Sequence, residues 1–252
     1  MKKQTIYLAI VLNFIIGCKK EEQVVSISTP ANQRGQISVS VKNLIDNVPF
    51  QLGQMLYTNN AGNQYRLDVL KYYLSNFEII EENGSSHKFG NYELIDYSKN
   101  ESLSFILDSI PSGTYKKIKF LVGIDSVTNK SLNNTGDLDI SYGMFWSWST
   151  GYIFLKAEGT FIDSLNVEKP LIYHFGSGVA VTEIEIEIPP INIDKISHKM
   201  NLNLDVNKLF GVNQPLDFDF YNIQQSFPVG EERWIESISN NLPPAFSLEF
   251  VQ

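Results

Sequence analysis

Trp146 and Trp148, two of the three tryptophans, stand two residues apart, and His174, one of three histidines, follows in the next apolar run. In an extended chain, alternation places Trp146 and Trp148 on one face. A return strand carrying His174 then lies beside or opposite them. The stretch from Tyr142 to Gly178 is thus where rare indole, imidazole and glycine chemistry gathers. By residue type alone, Trp146, Trp148 and Tyr152 read first as core aromatics with His174 packed beside them, because large aromatics usually fill cores.

Other chemistry is thin. No cysteine follows Cys18, and there is no G-x-S-x-G element or phosphate-cradling glycine loop. Ser/His/Asp catalysis would have to use His87, His174 or His198, none with a supporting local signature. His87 and His198 sit in polar stretches and read as solvated surface residues. Asp137 and Asp139 lack the oxygen-ligand spacing of a calcium loop, so they too read as solvated.

Composition narrows the class. The chain has 252 residues and a formal net charge of -8. This acidic balance, with no Lys/Arg cluster to neutralise phosphates, argues against nucleic acid. The 16 Phe, 12 Tyr and 3 Trp suffice for a sizeable core. Residues 1–17 carry Lys2 and Lys3 before an apolar run too short to span a bilayer, the pattern of a secretory signal. The run ends in Ile15-Ile16-Gly17-Cys18, which resembles a bacterial lipobox with Cys18, the one cysteine, as the acylated residue. The charged residues Lys19 to Glu22 resemble the surface-export signals of Bacteroidetes lipoproteins. Residues 18–36 are then a lipid anchor and flexible tether. The expectation is a cell-envelope, outer-membrane lipoprotein, periplasmic or surface-exposed, with one domain over residues 37–252.

The elements that must position the aromatic stretch are mostly strands. Ile37, Val39 and Val41 alternate with polar residues, as do Ile184, Ile186 and Ile188 with three glutamates, and Leu202 and Leu204 with asparagines. Pro189-Pro190 is expected to stop the glutamate strand. Asn83-Gly84 marks a hairpin turn. Leu67, Leu70 and Leu74 suggest a helix over Arg66 to Leu74, and Ile235, Ile238 and Leu242 another over Trp234 to Leu242. Leu216 to Phe220 reads as an exposed edge strand. The fold class is all-β: an antiparallel β-sandwich with one or two short helices.

A family resemblance carries the reading further. Gly143-Met144-Phe145-Trp146-Ser147-Trp148-Ser149-Thr150-Gly151-Tyr152, continuing to Lys156-Ala157-Glu158-Gly159, resembles the G-M-x-W-x-W-x-x-G-Y-x-x-x-K-x-E-G signature of the MbnP-like copper-binding domain family. Tyr173-His174-Phe175-Gly176 is similar to its histidine–glycine element. Tyr57 to Gly62 and Leu70 to Asn76 resemble its opening motifs. The resemblance implies a secreted or lipid-anchored β-sandwich linked to copper storage or delivery. In some members a partner di-haem enzyme oxidises a tryptophan to kynurenine, which joins histidine in holding copper. Carried over by position, Trp146 is the oxidisable tryptophan, His174 an imidazole ligand suited to either copper oxidation state, and Met144 a weak thioether donor. Trp148, Tyr152 and Gly151 then wall the site. The chain departs from the pattern at Asn43 and at Phe250-Val251-Gln252, where members carry histidine.

Three readings follow. The first is a lipid-anchored MbnP-like binding domain, not an enzyme, with copper at His174. The second is a surface binding or adhesion module that kept the sandwich and lost the metal, using exposed aromatics such as Tyr142 and Phe145. The third, a hydrolase using His174, has no motif in its favour.

Overall fold

The computed structural model describes residues 34–251 apart from 56, 132–134, 148, 177–179, 195–196, 213–214 and 227–231. Cys18, its signal and its tether, and Trp148 therefore lie outside the described residues. Strand β1 (Arg34–Ile45) starts at Arg34 rather than at Ile37, and its alternating Ile37, Val39 and Val41 are buried. It folds back on β2 (Val48–Pro49), and β3 (Tyr57–Thr58) leads into β4 (Gln64–Glu81). The expected helix over Arg66 to Leu74 is instead part of β4. A bulge opposite Glu158/Gly159 switches the phase of burial, so that Tyr65 and Leu67 are buried before it and Leu70, Tyr72 and Leu74 after it. A phase switch inside a strand thus produces the 67, 70, 74 spacing that imitates a helix.

The chain continues through β5 (Ser86–Lys88), β6 (Tyr92–Asp96), β7 (Ser104–Pro111) and β8 (Gly113–Val122). The short helix α1 (Ser126–Asn129) follows, then β9 (Phe145–Ser147), β10 (Gly151–Ile162), β11 (Glu168–Gly176), β12 (Thr182–Ile193) and β13 (Ser197–Asp205). The end of the chain holds α2 (Val206–Leu209), β14 (Ile223–Gln225), α3 (Glu232–Ala245) and β15 (Phe246–Val251).

Among the described residues these strands make two sheets. The smaller is ordered β15-β13-β1-β2 with β7 also on β1, and the larger β12-β8-β4-β10-β11-β14 with β3, β5, β6 and β9 at its margins. The sandwich is largely antiparallel, but β1 with β13 and β11 with β14 pair in parallel. Aromatic contacts join the layers: Phe246 of β15 meets Tyr72 of β4 at 6.4 Å and Phe120 of β8 at 5.3 Å, and Phe77 meets Phe105 at 5.2 Å. No helix among the described residues is long and apolar enough to cross a membrane.

Two further expectations change. Pro189-Pro190 does not stop β12, which runs on to Ile193 past a register shift between Glu187 and Ile191. Both prolines fall inside that register shift on an edge strand, where no ladder partner is lost by a missing N–H. The stretch Leu216 to Phe220 is a turn, not an edge strand. The Asp217 carboxylate accepts from the Asp219 amide at 3.0 Å and from Asn63 Nδ2 at 3.3 Å, while Leu216 and Phe218 are buried.

Candidate functional site

The outer face of the larger sheet carries a polar row in register across five strands. Asp96 of β6 pairs with Lys71 of β4, Lys71 with Lys156 of β10, Lys156 with His174 of β11, and His174 with Gln225 of β14. The alternation that sends Tyr72, Ala157, Tyr173 and Phe175 into the core sends this row outward.

Two carboxylates neutralise the row. Asp96 lies 2.9 Å from Lys71 Nζ, and Glu158 lies 3.3 Å from Lys156 Nζ and 2.6 Å from His174 Nε2. Burial pushes the Glu158 carboxyl upward, but the His174 hydrogen bond and the Lys156 charge outweigh it and hold the group below its ordinary value. Asp96 is likewise held low: burial raises it, and Ser98 and Lys71 overcome that.

A segment of short turns lies over the same face and delivers Trp146. Asp137 anchors it, its Oδ2 accepting from the Leu94 amide at 2.7 Å and its carbonyl from Tyr73 at 2.9 Å. The Tyr152 hydroxyl donates to the Leu138 carbonyl at 2.7 Å. Lys71 Nζ donates to the Tyr142 carbonyl at 3.3 Å and Lys156 Nζ to the Gly143 carbonyl at 3.4 Å. The Met144 carbonyl accepts from the Ile153 amide at 2.9 Å. Met144 is fully buried, so its thioether belongs to the packing beneath the segment.

Trp146 then lies against β11. Its Cζ3 is 2.9 Å from where a Cβ on Gly176 would stand. Gly176 follows His174 by two positions on the same strand, so the indole and the imidazole share one face of β11. The structure thus places Trp146 against Gly176, two residues along β11 from His174. Tyr152 lies under the segment, its ring edge-on to Phe145 at 5.0 Å. Gly151 begins β10 at φ 83°, with Asn129 Oδ1 2.2 Å from where its Cβ would be. That same oxygen accepts from the Tyr152 amide at 2.8 Å. Asn129 ends α1, whose start is capped by Asp125 through the amides of Val127 and Thr128, both at 3.0 Å.

The other sequence candidates fall elsewhere. His198 is not a solvated loop residue: it pairs with Ile37 in β13, in phase with buried Met200 and Leu202, and its Nε2 is buried without a partner among the described residues. The parallel pairing of β13 with β1 fixes that phase. His87 lies in β5, with its ring edge-on to Phe89 at 4.8 Å. Asp139 caps the turn Ile140–Tyr142 through the Ser141 amide at 2.8 Å. Sequence reading assigns no role to Lys71, Lys156 or Glu158. Their signal was the alternation of Lys156 and Glu158 with buried neighbours, which aims both out of the sheet on one face.

Copper, the metal the resemblance implies, can be tested against these side chains. His174 is one imidazole whose Nε2 is committed to Glu158, and Met144 is buried. Among the described residues no three His, Cys, Asp or Glu side chains come together as a metal group. The unmodified residues do not fit a closed copper centre.

Comparison with known proteins agrees with the fold. A search of curated proteins returned no match. The solved structure of MbnP from Methylosinus trichosporium is similar with a TM-score of 0.57 at 16% identity, over 87% of this chain and 99% of that one. At that identity the likeness speaks for the fold alone. The family model described as MbnP matches residues 34–226, most of the chain, and the chain therefore belongs to the MbnP family.

Proposed function

We propose that this chain is a non-catalytic, copper-associated binding protein of the cell envelope, tethered through lipid on Cys18. Its working part is the Trp146–His174 corner. The observation that carries the reading is the Trp146 ring lying against Gly176, on the face of β11 that holds His174. The copper association is open and weak in the unmodified chain, because one imidazole is available where tight sites use three or four donors. Oxidation of Trp146 by a partner di-haem enzyme would add a donor on the same face. Catalysis finds less support: among the described residues the side-chain hydrogen-bond partner of His174 is the Glu158 carboxylate, not a hydroxyl or thiol nucleophile. Titration of the purified protein with Cu(I) and Cu(II), beside His174→Ala, tests the reading. Weak binding lost in the variant supports it, and binding unaffected by the variant overturns it. Intact mass of protein from the native host tests Trp146 oxidation separately.

A surface-binding role without metal is the second reading. What favours it is exposed apolar surface: Phe220 is 77% and Leu165 82% exposed. The aromatics expected to serve it, Tyr142 and Phe145, are half-buried in the segment over the sheet.

A further inference from the structure

Lys71 and Lys156 stand directly opposite each other on neighbouring strands, a placement that repels and weakens a sheet unless something takes up both charges. Two carboxylates do so: Asp96 across from Lys71 on β6, and Glu158 two residues along β10 from Lys156. From above, the ammoniums meet two consecutive carbonyls, Tyr142 at 3.3 Å and Gly143 at 3.4 Å. Those carbonyls end the turn Ile140–Tyr142, where Gly143 takes φ 70° and the last C=O groups of a helical turn need donors. A third ammonium, Lys99, lies 5.2 Å from the centre of the Tyr142 ring and 3.9 Å from Asp96. Three positive groups thus converge on one dipeptide, and Trp146 follows it by three residues.

We propose that Lys71 and Lys156 form a two-ammonium latch that seats the Trp146 segment on the sheet beside His174. The inference rests on the Trp146–His174 reading for its functional meaning, but its geometry needs no metal. Lys71 and Lys156 are positioning residues, acting on Trp146 through the backbone of Tyr142 and Gly143. Releasing the latch leaves the segment held by the β9–β10 pairing, the Asp137 anchor and the packing of Met144 and Phe145, with two ties fewer, so Trp146 lifts from Gly176 more often. The lysine side chains are 21% and 20% exposed, so salt reaches the latch and weakens it in part.

Hydroxyl-radical labelling of the full chain without added metal, read residue by residue by mass spectrometry, tests this. Methionine keeps the aliphatic stem and removes the charge. In Lys71→Met/Lys156→Met, labelling of Trp146 is expected to rise by roughly three- to tenfold, as loss of two partly exposed charge contacts implies. Labelling of fully buried Trp234 stays unchanged, and Lys156→Arg stays near the parent level. Salt at roughly 1 M, where the screening length is about 3 Å, raises Trp146 labelling in the parent but not in the double variant. Unchanged Trp146 labelling in a folded double variant overturns the latch. If Trp234 labelling rises as well, the double variant has unfolded, and Lys156→Met decides by the same criterion. A failed copper titration leaves this result standing, because no metal enters it.

Discussion

Glu158 Oε1 lies 2.6 Å from His174 Nε2, and the register places the two on neighbouring strands of one sheet face. An ionised carboxylate only accepts, so Nε2 carries the proton of this hydrogen bond. In neutral His174 the lone pair therefore sits on Nδ1, the nitrogen left to meet a ligand. The carboxylate–histidine pair is the arrangement that orients imidazole ligands in metal proteins. Nitrogen-15 spectra of the metal-free protein with His174 in its neutral form are expected to show Nε2 protonated and Nδ1 bare. Glu158→Ala relaxes that preference.

The same pair predicts a pH dependence. The Glu158 carboxyl is depressed in the folded chain relative to its ordinary 4.5, so its stabilisation is fully present above about that pH. It is lost as pH falls through the lower folded value. Because the carboxylate is partly exposed, the contribution is modest, about 0.5–1 kcal/mol. Melting curves of Glu158→Gln and the parent should differ at pH 7 and converge in acid.

Gly176→Ala places a Cβ 2.5 Å from the Tyr152 carbonyl and 2.9 Å from the Trp146 ring. Overpacking of this kind costs roughly 1–3 kcal/mol, and here it also displaces the indole. Denaturant midpoints should fall, and the emission of Trp146, isolated by comparison with Trp146→Phe, should change.

Asp125 lies farther away but supports the same corner through α1 and Asn129. Burial raises its carboxyl, yet bonds from Tyr92 at 2.5 Å and from the helix amides hold it at about 2. Asp125→Ala removes a helix cap and should cost about 1–2 kcal/mol. The carboxyl is depressed, so the effect is full above its ordinary value of 3.8 and fades toward pH 2. Stability measured across that range checks the sign.

Tyr72 donates to Asn43 Oδ1 at 2.9 Å between the sheets, where Asn43 is 1% exposed. Tyr72→Phe leaves a buried acceptor without its donor and should cost about 1–3 kcal/mol. The bond also shows that Asn43 faces the core, whereas His174 lies on the outer face of the other sheet. Asn43→His therefore adds no donor to the His174 corner, and copper affinity should not rise in that variant.

How far the fold was legible in the sequence depends on phase. Strict alternation in β1, β12 and β13 named those strands, and the aromatic count foretold a sizeable core, which Tyr72, Tyr173 and Phe120 help to fill. The bulged β4 misled because one extra residue turns a strand's spacing into a helix's. His198 misled because its neighbours in sequence are polar, while the parallel pairing that turns it inward is long-range. At the site, Trp146 and His174 were visible from rarity and family resemblance. Lys156 and Glu158 stood in the quoted signature and Lys71 in an opening motif, but without a role, since a charged residue on a strand usually marks a wet face, and only the register reveals that these three converge.

The most direct measurement of the central claim is pulsed EPR of the purified protein carrying nitrogen-15 histidine and one equivalent of Cu(II). The account predicts coupling to a single imidazole, abolished in His174→Ala and retained in His87→Ala and His198→Ala. Coupling to two imidazoles, or a signal that survives His174→Ala, would contradict it and place any copper away from the Trp146–His174 corner.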